Sequence, residues 1–358
     1  MDITVNRLPS RTWNQLGMNE SRISGIETEK KYPAAPKFSG PGLQWNPKDP
    51  EMADGVWTEI QTGMGTDMDF LGRSTEPDLL VSKPGYLNEE PAVIDFNLRA
   101  GEKCFNTLHL YAGKGSSMTA AVICRSSDKG EGISALQTKI YAGEGARVRL
   151  FMVQILNESS VSLNDIGGIC REGAQVEVVR LELGARKAYA GGLVELLGDG
   201  SSFKAQIGYS GSQKQHLDMN YTARHRGRRT ESLMDVSGVL AEGAFKLFRG
   251  TIDFISGSSG SKGEEKEDVL LLGGHMVNQT VPLILCGEDD VEGNHGATIG
   301  RLDEQMMFYL CSRGFSGEEA KRMLARAKID ALCEQIPVRE IRKQVDLYLE
   351  GGKRDGEL

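Results

Sequence analysis

The chain has 358 residues, 39% of them apolar, and carries a formal net charge of −8 at pH 7. It is long enough to bury a large core, and 44 glycines with only 6% aromatic residues are typical of short strands joined by frequent turns. The acidic balance argues against a general nucleic-acid binder, because no basic excess neutralises phosphates. No apolar run approaches the roughly 20 residues that span a bilayer. The N-terminus has no signal-peptide pattern, so we expect a cytoplasmic protein.

Residues 1–75 are predicted to form an N-terminal arm with a short helical segment. The sequence favours a short helix around Trp13 and Leu16. Five prolines between Tyr32 and Pro50 disfavour both a regular helix and a central strand. This proline-rich stretch is therefore interpreted as an extended arm or linker.

Residues 76–298 are predicted to form a mainly β core, because short alternating segments recur there between turn residues. An acidic residue, a glycine and a small residue precede several of these segments, and the first three glycines are 28 and 27 residues apart. This spacing favours a parallel β-helix (β-solenoid) with a glycine at each corner. A β-sandwich, which also has short strands at regular intervals, is the competing account. The glycines of the motif are Gly145, Gly173, Gly200 and Gly243.

Two charged stretches interrupt the core. Arg224–Arg229 is a basic cluster that would suit an acidic partner or a phosphate, but a solvated corner of the solenoid is the favoured interpretation. Glu264–Asp268 is interpreted as a solvated loop that follows a flexible stretch at Ser256–Gly263.

Residues 299–358 are predicted to form a C-terminal helical domain. Asp303 is placed to cap a first helix that ends at a left-handed Gly314. Ser316–Glu319 is a capping box that opens a second helix, and Pro337 is expected at the first position of a third. Each helix carries one apolar stripe, which must pack on the β core or on a partner.

No motif of nucleotide binding or hydrolysis is present. If the function of this protein requires ATP, the site that hydrolyses it is expected on another chain. Six cysteines without Cys-x-x-Cys spacing argue against a local zinc or iron–sulfur site, and each is expected to be a small buried residue. His295 is the candidate metal ligand, because its imidazole lies beside glycine and should be accessible. One histidine cannot hold a cluster alone, so a metal role requires ligands from elsewhere or from a second subunit.

Two C-terminal segments, Asp290–Asp303 and Met307–Ala320, resemble the signature of the SufB/SufD family of iron–sulfur cluster assembly proteins. Upstream, Asp268–Gly273 and Pro282–Leu285 resemble the final solenoid strands of that family. The resemblance implies a β-helix core with helical ends. It also implies a complex in which SufB, SufD and the ATPase SufC build clusters from iron and sulfide. A transient cluster shared with a partner subunit is implied, whereas participation of a flavin stays open.

The resemblance favours the SufD type. SufB-type chains usually read His-Glu-Ala-Thr, whereas this chain has Gly296 after His295. The position of the SufB cysteine is occupied by Glu267. Some SufD-type chains carry a cysteine two residues before the histidine, and here that residue is Gly293. The resemblance therefore leaves His295 as the candidate ligand for an iron–sulfur cluster at the subunit interface.

The helices after the signature resemble the region that docks SufC. Phe308, Tyr309 and Arg313 are the candidate docking residues, and the alternative is that Phe308 and Tyr309 belong to the core. The final solenoid strands resemble the surface where SufB meets SufD.

Three hypotheses follow. The favoured one is a non-catalytic SufD-like subunit that pairs with SufB and docks SufC. The alternative is a self-sufficient, SufB-like homodimer in which two copies of His295 meet. The third is a polysaccharide-degrading enzyme on a β-helix, which needs carboxylates clustered on one face. Glu177 and Glu182 should point to opposite faces of their strand, so the enzyme is least favoured.

Overall fold

The chain folds into a parallel β-solenoid, as the sequence predicts. The computed structural model describes residues 1–350 except 13, 28–30, 32–36, 39–41, 49–51, 53–54, 73–74 and 89. Successive strands alternate between a 9-stranded and an 8-stranded sheet, so the chain completes one coil for every two strands. The strands are β1 Ile3–Val5, β2 Ser21–Ile23, β3 Leu43–Trp45, β4 Asp78–Ser82, β5 Ala92–Leu98, β6 Lys103–Ala112, β7 Ser117–Ser126, β8 Gly132–Ala142, β9 Arg147–Ile155, β10 Ser160–Cys170, β11 Gln175–Glu182, β12 Lys187–Leu196, β13 Ser202–Gly211, β14 His216–His225, β15 Glu231–Leu240, β16 Phe245–Phe254, β17 Ser261–Leu271, β18 Val277–Cys286 and β19 Val291–Arg301. The helices are α1 Val56–Glu59, α2 Thr66–Gly72, α3 Glu304–Ser312, α4 Gly317–Cys333 and α5 Arg339–Leu349.

The recurring glycines are the corners of the coil. Arg147 pairs with Gln175, and Gln175 with Ser202, so the register repeats the 28- and 27-residue steps of the glycines. The ladders of the solenoid strands are parallel, which excludes the antiparallel sandwich. The corner glycines have positive φ angles of 64° (Gly145), 61° (Gly173), 65° (Gly200) and 79° (Gly243). Only glycine adopts this conformation without steric cost.

The two outer faces of the solenoid are covered by the chain ends. The β1–β2 hairpin packs Ile3 and Ile23 near Phe105 and Tyr189 on the 9-stranded sheet. On the 8-stranded sheet, α4 and α5 bury their apolar stripes in one cluster with Phe151 and neighbouring residues. Two of the C-terminal helices therefore pack on the β core, whereas α3 buries only one residue, Leu310.

The predicted caps of the C-terminal helices are confirmed with one exception. The Asp303 side chain accepts a hydrogen bond from Gln305 N, and Gly314 has a φ angle of 98°. Ser316 and Glu319 form the reciprocal capping box. The prediction for Pro337 is wrong: α5 begins at Arg339, because Val338 is extended and occupies the N-cap position instead.

The N-terminal predictions are only partly covered by described residues. A 3₁₀ turn occupies Asn14–Leu16, and Trp13 lies outside the described residues. Within the proline-rich stretch, β3 pairs antiparallel with β4 at the edge of the 9-stranded sheet, so this part is a strand. Most of the prolines of that stretch lie outside the described residues. No described helix is both long and apolar enough to cross a bilayer.

The basic stretch Arg224–Arg229 is only in part a solvated corner. Arg224 is the penultimate residue of β14 and is half-buried between Glu195 and Asp253, with nitrogen–oxygen distances of 2.7 and 2.9 Å. Arg228 follows in the corner and is exposed. The first arginine therefore links neighbouring strands, and only the later ones match the prediction.

His225 makes the stability of the coil depend on pH. Its ring nitrogens form hydrogen bonds of 2.7 Å with Thr230 and 2.8 Å with Ser232, and the side chain is fully buried. Burial lowers the pKa of His225 to about 4. The unfolded chain protonates this ring near pH 6.5, so stability is lost as pH falls below that value, by about 1.4 kcal/mol per unit down to about pH 4.

Between pH 7 and pH 5, His225 should therefore lower the free energy of unfolding by about 2 kcal/mol. Urea titrations at both pH values should show that His225→Gln removes this share of the pH dependence. The matched control is His275→Gln, which changes an exposed histidine and should keep the wild-type profile. Parallel profiles for His225→Gln and the wild type would contradict the assignment.

Candidate functional site

The solenoid ends in an uncovered coil, formed by β18 and β19 and called here the last coil. Among the described strands, β18 pairs only with β16 and β19 only with β17, so each is the edge of its sheet. The side chains from Asn294 to Ile299 are exposed. Because no further coil covers these strands, the interior of the solenoid opens to solvent at this end.

His295 lies on the interior face of the last coil. It pairs in register with Glu265 of β17, and paired residues of parallel strands point to the same face. Two positions earlier, a side chain at Gly293 would lie 3.0 Å from Ile284 and 3.1 Å from Phe254, which belong to the inner core or pack against it. The imidazole is nevertheless exposed, because the coil is the last one. The accessibility predicted for His295 is thus confirmed.

The charged stretch Glu264–Asp268 is not a loop, and that prediction is wrong. It is the middle of β17, in which side chains alternate between the two faces. Glu264 and Lys266 point outward and form an ion pair, with 2.6 Å between Lys266 Nζ and Glu264 Oε1. Glu265 and Glu267 point into the solenoid and are buried. The prediction failed because the interior of this coil is charged rather than apolar, which hides the period of the strand.

Glu267 is fully engaged by neighbouring side chains. Its carboxylate accepts hydrogen bonds from Lys246 at 2.6 Å, from the Tyr209 hydroxyl at 3.3 Å and from the Thr280 hydroxyl. The side chains of Lys246 and Glu267 have no exposed surface. Burial lowers the pKa of Lys246, and the negative charge of Glu267 opposes that shift. Lys246 and Glu267 therefore compensate each other inside the coil.

Glu265 is the second buried carboxylate of this coil, and the charge of Lys246 acts on it as well. It is 2% exposed and forms no hydrogen bond or ion pair with the described residues. Its carboxyl group lies against Gly250 of β16, where an added Cβ would be 3.0 Å from Glu265 Cδ. Burial and the nearby Glu267 raise the pKa of Glu265 to about 7, and the positive charge of Lys246 opposes that shift. Sequence reasoning missed this residue, although its spacing of 30 residues from His295 is one coil length.

The cysteines do not complete a metal site within one chain. Four are buried as predicted. Cys286 in β18 and Cys311 in α3 are exposed, so the prediction of burial is wrong for these two. Since Ile284 faces Gly293, Cys286 lies toward one end of the coil and His295 toward the other, four residues or about 13 Å apart along the strand direction. No three His, Cys, Asp or Glu side chains of the described residues converge as metal ligands.

The candidate docking residues are exposed on α3 and at its C-cap. Phe308 is 77% exposed and Tyr309 is 52% exposed, so neither is a core residue. The guanidinium carbon of Arg313 lies 5.1 Å from the centre of the Tyr309 ring. Met306 of α3 and Phe315 just after it are also exposed apolar residues, which sequence reasoning missed. We call these five residues the α3 face.

Comparison with known proteins agrees with this architecture. Residues 96–328 match the family model described as SUF system FeS cluster assembly, SufBD core domain. The iron–sulfur cluster assembly protein SufD of Bacillus subtilis is 28% identical over 155 residues, which cover 43% of this chain and 36% of that protein. SufB of the same organism is 24% identical over 187 residues, which cover 51% of this chain and 40% of that protein. An iron–sulfur cluster assembly SufBD family protein of Mycobacterium tuberculosis is 25% identical over 227 residues, which cover 62% of this chain and 27% of that protein. The matched region spans less than half the length of each of these relatives.

Proposed function

This chain belongs to the SufB/SufD family of the SUF system of iron–sulfur cluster assembly, and we propose that it is a non-catalytic, SufD-like subunit. In this proposal it pairs with a SufB-like chain in the cytoplasm and docks a SufC-like ATPase. The observation that carries the proposal is the last coil: it presents an accessible histidine at an open edge but lacks a full set of metal ligands. A second chain would supply the missing ligands.

The residues that replace the SufB pattern support the SufD type. Glu267 stands where the resemblance places the SufB cysteine, and its carboxylate is already occupied by Lys246, Tyr209 and Thr280. Gly296 stands where SufB-type chains carry a glutamate. The chain thus lacks two SufB ligand candidates, and a transient cluster would have to be shared with the partner through His295.

The open edge of the last coil supports pairing with another solenoid. Backbone groups on the free edge of a strand are ready to extend a ladder with a second chain. The exposed run from Asn294 to Ile299, which includes His295, lies on this edge. Pairing there would bring the histidine to the interface between two subunits.

Co-expression with a SufB-like chain and a SufC-like ATPase tests the pairing. A tag on this chain alone should retain both partners through affinity and size-exclusion chromatography. Recovery of this chain as a free protein, with both partners present and folded, would contradict the proposal.

His295→Ala separates assembly from cluster formation. The imidazole is exposed and forms no hydrogen bond with the described residues, so the variant should assemble with both partners as the wild type does. Cluster formation on the complex should fall at least about tenfold, because a ligand is lost. Visible absorption and iron and sulfide analysis after anaerobic reconstitution measure it. The control His275→Ala should behave as the wild type, and unimpaired cluster formation in His295→Ala would remove the histidine from the account.

A further inference from the structure

We propose that residues 60–64, called here the strap, form a pH-sensitive closure over the outer face of the 9-stranded sheet, controlled by protonation of Asp165. The strap is closed while the Asp165 carboxyl group is protonated, and it opens as this group ionises. The inference does not depend on the proposed function, because it concerns only the N-terminal arm and the sheet beneath it.

The strap lies directly on the sheet because glycines leave no side chain between the two. A Cβ added at Gly191 of β12 would lie 2.5 Å from Met64 N, and one added at Gly167 of β10 would overlap the strap backbone. Gly63 N donates a hydrogen bond of 3.1 Å to Ile166 O of β10. The close approach therefore places the strap backbone within hydrogen-bonding distance of the sheet.

Asp165 of β10 is the carboxyl group that binds the strap. Its Oδ1 accepts a hydrogen bond of 2.8 Å from Met64 N, and its Oδ2 accepts one of 3.3 Å from Gln137 Nε2 of β8. Asn220 of β14 adds a second contact, because its Nδ2 donates to Gly63 O at 2.9 Å. The Asp165 side chain has no exposed surface, so the strap separates its carboxyl group from water.

This carboxyl group lacks the cation that another buried carboxylate of the sheet has. Asp218, which also binds N-terminal residues, pairs with Arg249 at 2.7 Å between Oδ1 and Nη1. Asp165 forms no ion pair within the part of the chain that the structure describes. It instead shares the Gln137 amide with a second carboxylate, Asp69 of α2, whose Oδ1 lies 3.1 Å from Gln137 Nε2. Burial without a cation favours the neutral form of a carboxyl group.

The charged groups near Asp165 are engaged elsewhere. Lys139 of β8 has its Nζ 3.3 Å from Asp69 Oδ1 and donates to a backbone carbonyl group of α1. Arg224 of β14 donates to Gln61 Oε1 at 3.2 Å, at the start of the strap, and its charge is balanced by two carboxylates of the sheet. The strap itself contains no charged residue. Asp69 is therefore the charge that acts on Asp165, and it is negative.

The direction of the pH dependence follows from this environment. Burial raises the pKa of Asp165 to about 7, the charge of Asp69 adds to the shift, and the hydrogen bonds that the carboxyl group accepts oppose it. The neighbouring His109 and Tyr221 are uncharged near neutral pH, because burial lowers the pKa of His109 to about 3 and raises that of Tyr221 to about 12. A released aspartate has a pKa of about 4, so the stabilisation of the closed strap is complete below about pH 4 and is lost as pH rises to about 7. Opening then hydrates the ionised carboxylate.

Hydrogen–deuterium exchange of the full chain, followed by mass spectrometry between pH 5 and pH 8, tests the closure. After correction for the chemical exchange rate, the opening constant of the strap should rise about tenfold per pH unit up to about pH 7 and level off above it. The amides of Gly63 and Met64 report this opening, because both donate hydrogen bonds to the sheet. A peptide from β11, which is buried under α4 and α5, reports unfolding of the coil and should exchange more slowly than the strap.

Asp165→Asn keeps an acceptor for Met64 N but cannot ionise, so the opening constant of its strap should not change with pH. Asp69→Asn removes the neighbouring negative charge and should move the upper plateau to lower pH. Asp128→Asn removes an exposed carboxylate and should keep the wild-type profile. A strap whose opening is independent of pH in the wild type, or unchanged pH dependence in Asp165→Asn, would overturn the proposal. The profiles of the wild type and Asp69→Asn decide the question if Asp165→Asn does not fold.

Discussion

Lys246→Met is expected to lower the free energy of unfolding by about 3–5 kcal/mol. In the wild type, Lys246 Nζ lies 2.6 Å from Glu267 Oε1, and neither side chain has exposed surface. The methionine therefore leaves the Glu267 carboxylate inside the coil without this cation. The hydroxyl groups of Tyr209 and Thr280 would still donate hydrogen bonds, but they carry no net charge. Urea unfolding at pH 7, followed by circular dichroism, measures the loss.

The double variant Lys246→Met/Glu267→Leu should recover most of this loss, because removing both charges removes the desolvation penalty. Lys266→Met is the matched control on β17, where the lysine pairs with Glu264 on the exposed face. It should change stability by no more than about 0.5 kcal/mol. A stability of Lys246→Met within about 1 kcal/mol of the wild type would contradict a charge pair sealed inside the coil.

Phe308→Asp is expected to weaken binding of the SufC-like ATPase by at least about 30-fold, which corresponds to about 2 kcal/mol. Phe308 is 77% exposed and precedes Tyr309, whose ring contacts Arg313. Aromatic and arginine side chains of this kind dominate the energy of interfaces. The charge would have to be desolvated in the docked state. Calorimetric titration of the ATPase into the purified chain measures the change.

Phe308→Asp should leave the free energy of unfolding nearly unchanged, because the side chain is mostly exposed. Leu87→Asp is a matched control, since Leu87 is 70% exposed and lies outside the C-terminal helices. It should leave ATPase binding unchanged. Equal binding by Phe308→Asp and the wild type would remove the α3 face from the docking account.

The solenoid could be predicted from sequence because its corners are local. The corners at Gly145, Gly173 and Gly200 use a residue with positive φ, and these glycines mark the coil length directly. The caps at Asp303 and Ser316 are equally local, since their side chains bind backbone groups two or three residues away. Such features need no knowledge of tertiary contacts.

The charged interior of β17 could not be predicted in the same way. The burial of Glu267 depends on Lys246 in the preceding strand and on Thr280 in the following one. The pairing of Glu265 with His295 becomes visible only when the coil length at this point is known. A run of charges is usually solvated, so the local pattern pointed to a loop.

The docking residues illustrate a different limit. An apolar stripe on a helix indicates that something covers it, but not whether this is the same chain or another one. The stripes of α4 and α5 are covered by the 8-stranded sheet, whereas Phe308 and Tyr309 of α3 stay exposed. Only the placement of the helices separates these cases.

Anaerobic reconstitution of the purified chain with iron and sulfide, with and without a SufB-like partner, shows whether a cluster needs ligands from two chains. The chain alone is expected to retain no acid-labile sulfide and to show no visible chromophore, because no three His, Cys, Asp or Glu side chains of its described residues converge as metal ligands. The same chain with the partner should become coloured and retain iron and sulfide in the complex. A coloured homodimer that holds iron and sulfide without any partner would contradict the account and favour the self-sufficient scaffold.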